Sequence, residues 1–270
     1  MIQITAGMIQ ITTGQWVGWS AAFLYPLLRV LGLILADPLL GNRSVPVTAK
    51  LGLALLVTVL VAPLLPPTPS ADPASAAGVL IAAQQLLIGL AMGFSIRVAL
   101  SAAQMAGQLA GLQMGLGFAQ FFDPQSGAHA AVLDRFLGLF AVLIFFSING
   151  HHVVLGALVE SFQALPIAAA PVDALALRVL VEWAGTIFTA GLLIALPVVA
   201  TLLIANVALG IMTRAAPPLN IFTVGFPVTL ITGLLALYLA APHLGPALAD
   251  LFEQATLALG RVLEALAPGS

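Results

Sequence analysis

The chain has 270 residues, of which 61% are hydrophobic and only 7% charged. Soluble domains run at roughly 45–50% apolar and about 25% charged, so this composition excludes a water-soluble fold, which would lack the polar groups to cover its surface. A formal net charge of -2 with eight Lys and Arg leaves no basic stripe and speaks against nucleic acid as a partner, and the absence of Cys removes disulfides, thiolate catalysis and thiolate metal sites.

The N-terminus carries "MIQITAG" followed by the near-copy "MIQITTG", read as a duplicated or misassigned start with Met8 as the alternative initiator. It lacks the basic region and small-x-small site of a cleavable signal, and residues 1–15 are expected to be weakly ordered. Six apolar stretches follow, approximately at 16–40, 51–65, 76–122, 133–159, 175–209 and 219–241. A span needs about 20 residues, so the third, long enough for two helices or one bent helix, brings the expected count to roughly six to eight. Helix is expected throughout, because every backbone polar group must find a partner inside the membrane.

Connectors are short. Arg43 and Lys50 in 41–50, and Arg214 in the loop at 211–218, place those loops on the cytoplasmic side by the distribution of basic residues, with 66–75 and the N-terminus opposite. Residues 16–241 are expected to form the helical body. From Pro242 the chain becomes more charged and amphipathic, so 242–270 is predicted as a surface or partner-contacting helix.

Pro197 and Pro227 sit inside apolar stretches, where each removes a backbone donor and predicts a kink or break. Broken helices at membrane depth line cavities or pack against protein. Ala99, Ala103, Gly107, Gly111 and Gly115 recur every fourth position. On a helix they form one groove that lets another backbone approach closely, within the chain or from another subunit. Gly89 and Gly93 make a second pair of this kind. Gln104 and Gln108 share a face, with Gln113 and Gln120 further along, as bundle glue or as a polar lining.

Arg29, Arg97, Glu160 and Glu182 are ionisable groups in or beside apolar stretches, read as buried charges at bilayer depth that are paired or face protein and water. Static salt bridges between subunits are favoured over a proton relay. His151 and His152 follow a turn-prone Asn-Gly pair and point about 100° apart on a helix, so they do not chelate by themselves. No metal, cofactor or catalytic site is predicted, since neither an HExxH motif nor a nucleophile elbow is present. The prolines and buried charges by themselves suggest a small-solute secondary transporter. The two halves show no convincing internal repeat, which speaks against the transporter.

The segment "GLQMGLGFAQFFDPQSG" (111–127) resembles the R-subunit family of the flagellar type III protein-export gate, related to the T subunit of virulence secretion systems. The segments "YPLLRVLGLILADPLLGNRSVP" (25–46), "KLGLALL" (50–56), "QQLLIGLAMGF" (84–94) and "NGHHVVLGALVESFQALPI" (149–167), together with residues 191–230, agree in the same order. The resemblance implies an all-α, integral-membrane-type protein of helical hairpins with broken helices, one part of a helical hetero-oligomeric gate. It implies the subunits FliP and FliQ as neighbours, FlhB at the cytoplasmic opening and FlhA nearby. It also implies residence in the bacterial inner membrane at the flagellar basal body, with membrane lipid and exported unfolded flagellar proteins as further contacts. Much of the oily surface would then face neighbouring subunits rather than lipid.

The family's plug loop matches Gly111, Gln113, Met114, Gly115, Gly117, Phe118, Phe121 and Phe122. The residue types suit that role. The glycines allow a movable, non-helical backbone, Met114 repacks around variable shapes, and the phenylalanines supply apolar bulk until Asp123-Pro124 ends the segment.

Overall fold

The computed structural model describes residues 13–66, 71–118, 132–168, 174–215 and 221–266. Among them helix is the only regular structure, as expected where no solvent can satisfy backbone groups. The helices are α1 (Thr13–Ala36), α2 (Val47–Val61), α3 (Ala76–Gln113), α4 (Val132–Ser147), α5 (Gly150–Ala164), α6 (Ala174–Ala184), α7 (Thr186–Ala215) and α8 (Ile221–Leu266). Short 3-10 turns, Ala62–Leu64 and Leu116–Phe118, follow α2 and α3.

Among the described residues, five stretches are long and apolar enough to cross a membrane, or six when α4 and α5 are taken together as one bent span. The upper figure meets the lower end of the expected range. The stretch 133–159, read from sequence as continuous, is split at Asn149, which adopts a left-handed conformation (φ 58°). Asn is among the few residues that tolerate this geometry, and its N–H donates to Phe146 O at 3.1 Å to close the end of α4. The stretch 76–122 holds one long helix and a 3-10 turn within its described part.

The expected proline breaks are absent. Helix α7 runs through Pro197, and α8 runs through Pro227, Pro242 and Pro246. Each of these prolines forfeits one backbone hydrogen bond, a defect that neighbouring helices and Ser or Thr side chains can absorb. The change of character at Pro242 is therefore no helix boundary. Beyond it Leu244, Leu248, Leu251, Phe252, Ala255, Leu259 and Val262 are buried at helical spacing, the pattern of an amphipathic segment.

The chain divides into two compact units. The first comprises α1, α2, α3 up to Arg97, α5 from His151, α6 up to Trp183, and α8 from Ala255. Within it α1 and α3 meet through glycine. A Cβ on Gly89 would collide with Arg29 O and lie 2.8 Å from Leu33 N, while one on Gly32 would lie 2.9 Å from Leu90 N. Two backbones can approach so closely only where side chains are absent from both. Trp183 joins the same unit by donating its indole N–H to Ser95 O at 2.9 Å.

The second unit comprises α3 from Val98, α4, α7, and α8 up to Gln254. Its apolar core is built from Ala110, Met114, Leu133, Val198, Leu202 and Ala236, with a second cluster of Ala106, Leu137, Ala195 and Leu244. Phe145 and Phe252 close one end with ring centroids 5.1 Å apart.

Candidate functional site

Helix α3 ends in the middle of the segment singled out from sequence. Met114 N donates to Ala110 O at 2.9 Å and Gly115 N to Leu112 O at 3.0 Å, after which Gly115 turns into the left-handed region at φ 82°. An L side chain there would be strained, so glycine is required for this exit. The chain then passes into the turn Leu116–Phe118. A Cβ on Gly117 would lie 3.2 Å from the Leu112 side chain, a tight contact that the side chain would have to relieve.

Met114 is fully buried. Its side chain lies against Gly233, where a Cβ would stand 2.5 Å from Met114 Cγ and 2.7 Å from its Cε. Its carbonyl accepts a hydrogen bond from the Thr229 hydroxyl at 3.2 Å. Thr229 and Gly233 are four apart on α8 and so present one face. The root of the segment is thus seated in the second unit's core. Gly111 is buried on α3, whereas Gln113, Gly115 and Gly117 are half-buried. Phe121, Phe122 and Gln120 lie outside the described residues.

The small-residue row on α3 is a packing surface inside the chain at one well-defined point. Ala99 and Ala103 are buried, and a Cβ on Gly107 would lie 2.6 Å from Leu133 C and 2.7 Å from Asp134 Cα, where the start of α4 crosses. Gln104 and Gln108 are exposed, and the stem of Gln104 covers Gly138.

The ionisable residues part company. Arg29 alone among the four is buried, with no exposed surface. Its Nε donates to Gln85 Oε1 at 2.8 Å, Nη1 to Ser161 O at 2.7 Å and to Ser161 Oγ at 3.1 Å, and Nη2 to Leu165 O at 2.8 Å. Its guanidinium carbon stands 4.1 Å from the centroid of Phe162. The cation therefore caps the carbonyl end of α5, where the helix dipole is negative. Arg97, Glu160 and Glu182 are exposed on this chain, each facing outward from its helix. Glu182 pairs with Arg178 one turn earlier at 2.8 Å. Arg214, Pro197 and Pro227 are also exposed. Pro197 lines an open groove of about 420 Å³ with Thr201, Thr232, Ala236 and His243.

Gln85, Ser161, Thr229, Gly233 and Gly32 escaped the reading of the sequence. Gln85 carried a signal, being an amide in an oily stretch; the others reveal themselves only through partners distant in sequence.

These features define a multi-pass, all-helical membrane protein whose long central helix ends in a glycine-set turn. Residues 20–255 match the family described as "Bacterial export proteins, family 1", and the chain belongs to it. It is 40% identical to the flagellar biosynthetic protein FliR of Escherichia coli (strain K12), over 92% of this chain and 94% of that protein. It is 41% identical to FliR of Pectobacterium carotovorum subsp. carotovorum, over 96% and 99% respectively. FliR of Bacillus subtilis (strain 168) is 30% identical over 77% of this chain and 81% of its own length.

Proposed function

We propose that this protein is the R subunit of a flagellar type III protein-export gate, and that its segment 111–122 plugs the channel through which unfolded flagellar subunits leave. The observation that carries the reading is the exit of α3. Met114 is clamped in the core, Gly115 turns at φ 82°, and the glycine- and phenylalanine-rich sequence begins immediately beyond. A fixed root with a glycine joint is what a displaceable plug requires, since the closure must yield to a passing chain and return to the same place. The work is mechanical and needs no catalytic group. The transporter alternative loses its support, because α7 and α8 run through the prolines that suggested broken helices.

The outward faces call for an apolar surround. Leu192, Leu193, Leu196, Leu203, Ile204 and Val207 are exposed along α7. Leucine and isoleucine surfaces of this extent need lipid or apolar neighbours. FliP and FliQ are the neighbours we assign, with FlhB at the cytoplasmic opening, FlhA nearby, and the assembly in the inner membrane at the flagellar basal body. Purification in mild detergent tests this assignment. A gate subunit co-purifies with two different small membrane proteins in unequal numbers, whereas recovery only as a monomer or homo-oligomer contradicts it.

A further inference from the structure

The Thr229 hydroxyl has two acceptors within reach. One is Phe226 O on its own helix at 3.0 Å, and the other is Met114 O, 115 positions away in sequence, at 3.2 Å. A hydroxyl carries a single proton, so its bond to Met114 competes with a bond it can make at home. Most cross-helix hydrogen bonds in an apolar interior are costly to break, because a donor is left without a partner. Here the donor keeps a partner, since Phe226 O receives it, and the cost of release falls on Met114 O alone. Thr229 is buried, which keeps water from intervening.

We propose that Thr229 is a reversible latch on the root of the plug, holding Met114 O in the closed gate and retreating to Phe226 O when the root is pulled. The latch rests on the plug reading above and adds to it the residue that sets how readily the plug yields. Gly233, one turn further along α8, supplies the matching apolar seat, since only a residue without a side chain leaves room for Met114. The hydroxyl and the missing Cβ together define one docked position for Met114. Thr229 is thus a positioning residue, acting on the passage through Met114 and touching no exported chain itself.

An interhelical side-chain hydrogen bond in a bilayer averages a contribution equivalent to roughly a 3-fold shift in a two-state equilibrium, with extremes near 20-fold. Thr229→Val keeps the shape and removes the proton; Thr229→Ser keeps the hydroxyl. The test measures propidium entry into spheroplasts that make the whole export apparatus with each variant, alongside recovery of the complex. A third variant has residues 116–122 replaced by a glycine-serine linker of equal length. The latch predicts that Thr229→Val raises basal dye entry roughly 3- to 20-fold at unchanged complex recovery, and that Thr229→Ser stays at the wild-type level. If the linker variant leaks while Thr229→Val at full recovery is as tight as wild type, the latch is overturned and the plug stands. If the linker variant is tight, the plug reading falls and takes the latch with it. Should Thr229→Val not assemble, Thr229→Ala carries the same comparison. Failure of both to assemble while Thr229→Ser assembles would assign the hydroxyl to folding and overturn the latch.

Discussion

Arg29 reaches Ser161 across 132 positions of sequence, donating Nη1–H to its carbonyl oxygen at 2.7 Å and to its hydroxyl at 3.1 Å. No carboxylate takes part. The cation is held by a helix end, an amide and the face of Phe162, which together spread its charge over neutral dipoles and a ring.

Arg29→Met should therefore destabilise the fold, because it leaves Ser161 O, Leu165 O and Gln85 Oε1 buried without their donor. A cost of about 1–3 kcal/mol is expected for each orphaned group. Arg29→Lys should recover only part, since an ammonium cannot reproduce the planar fork or the stacking on Phe162. Thermal unfolding of the purified complex in mild detergent checks the order wild type, Lys, Met. A lysine variant as stable as wild type would show that the charge matters and the fork does not.

Gly107→Ala should cost about 1–3 kcal/mol by overpacking, because the new Cβ meets backbone atoms of Leu133 and Asp134 that cannot rotate away. Gly52→Ala, inside α2 with nothing within 4 Å of its new Cβ, should instead stabilise by about 0.5–1 kcal/mol. Thermal midpoints of the two variants measure the contrast. Equal midpoints would mean that α3 and α4 do not pack as closely as the Gly107 contact requires.

Asp37 lies one residue beyond the first span and is buried. Burial pushes its carboxyl above the ordinary value, against the opposing pull of the Leu40 and Leu39 N–H groups and the charge of Arg97. A raised folded-state value means that the group's contribution to stability is full below the unfolded value and is lost as pH rises through the folded one. Asp37→Asn keeps the acceptor oxygen that Leu39 N and Leu40 N bind at 2.8 Å each and removes the charge. The variant should match wild type near pH 4 and equal or exceed its stability at pH 7. Unfolding midpoints at the two pH values decide the matter, and a loss confined to pH 7 would contradict it.

How far the sequence discloses this protein depends on whether the signal is local. The apolar stretches revealed an all-helical membrane protein, and the Asn149-Gly150 pair marked a turn that the structure places at the end of α4. The spacing from Ala99 to Gly115 pointed to close packing, and at Gly107 the approaching backbone belongs to the same chain. The prolines do not end their helices, because an apolar helix can continue where neighbouring groups absorb a missing donor. The charges left their partners open. Whether Arg97 or Glu160 faces inward is fixed by helix rotation against partners far along the chain, and no short window contains that information. The socket at Thr229 and Gly233 was hidden for the same reason.

The account turns on the segment beyond Gly115 closing a conduit. Met114 belongs to the core, so the decisive variant must spare it and replace only residues 116–122 with a flexible linker of equal length. Ionic conductance of the assembled export complex in a planar bilayer is the most direct measurement. The account predicts a channel that is closed in wild type and stands open in the linker variant at normal assembly. An assembled linker complex as impermeable as wild type would contradict it.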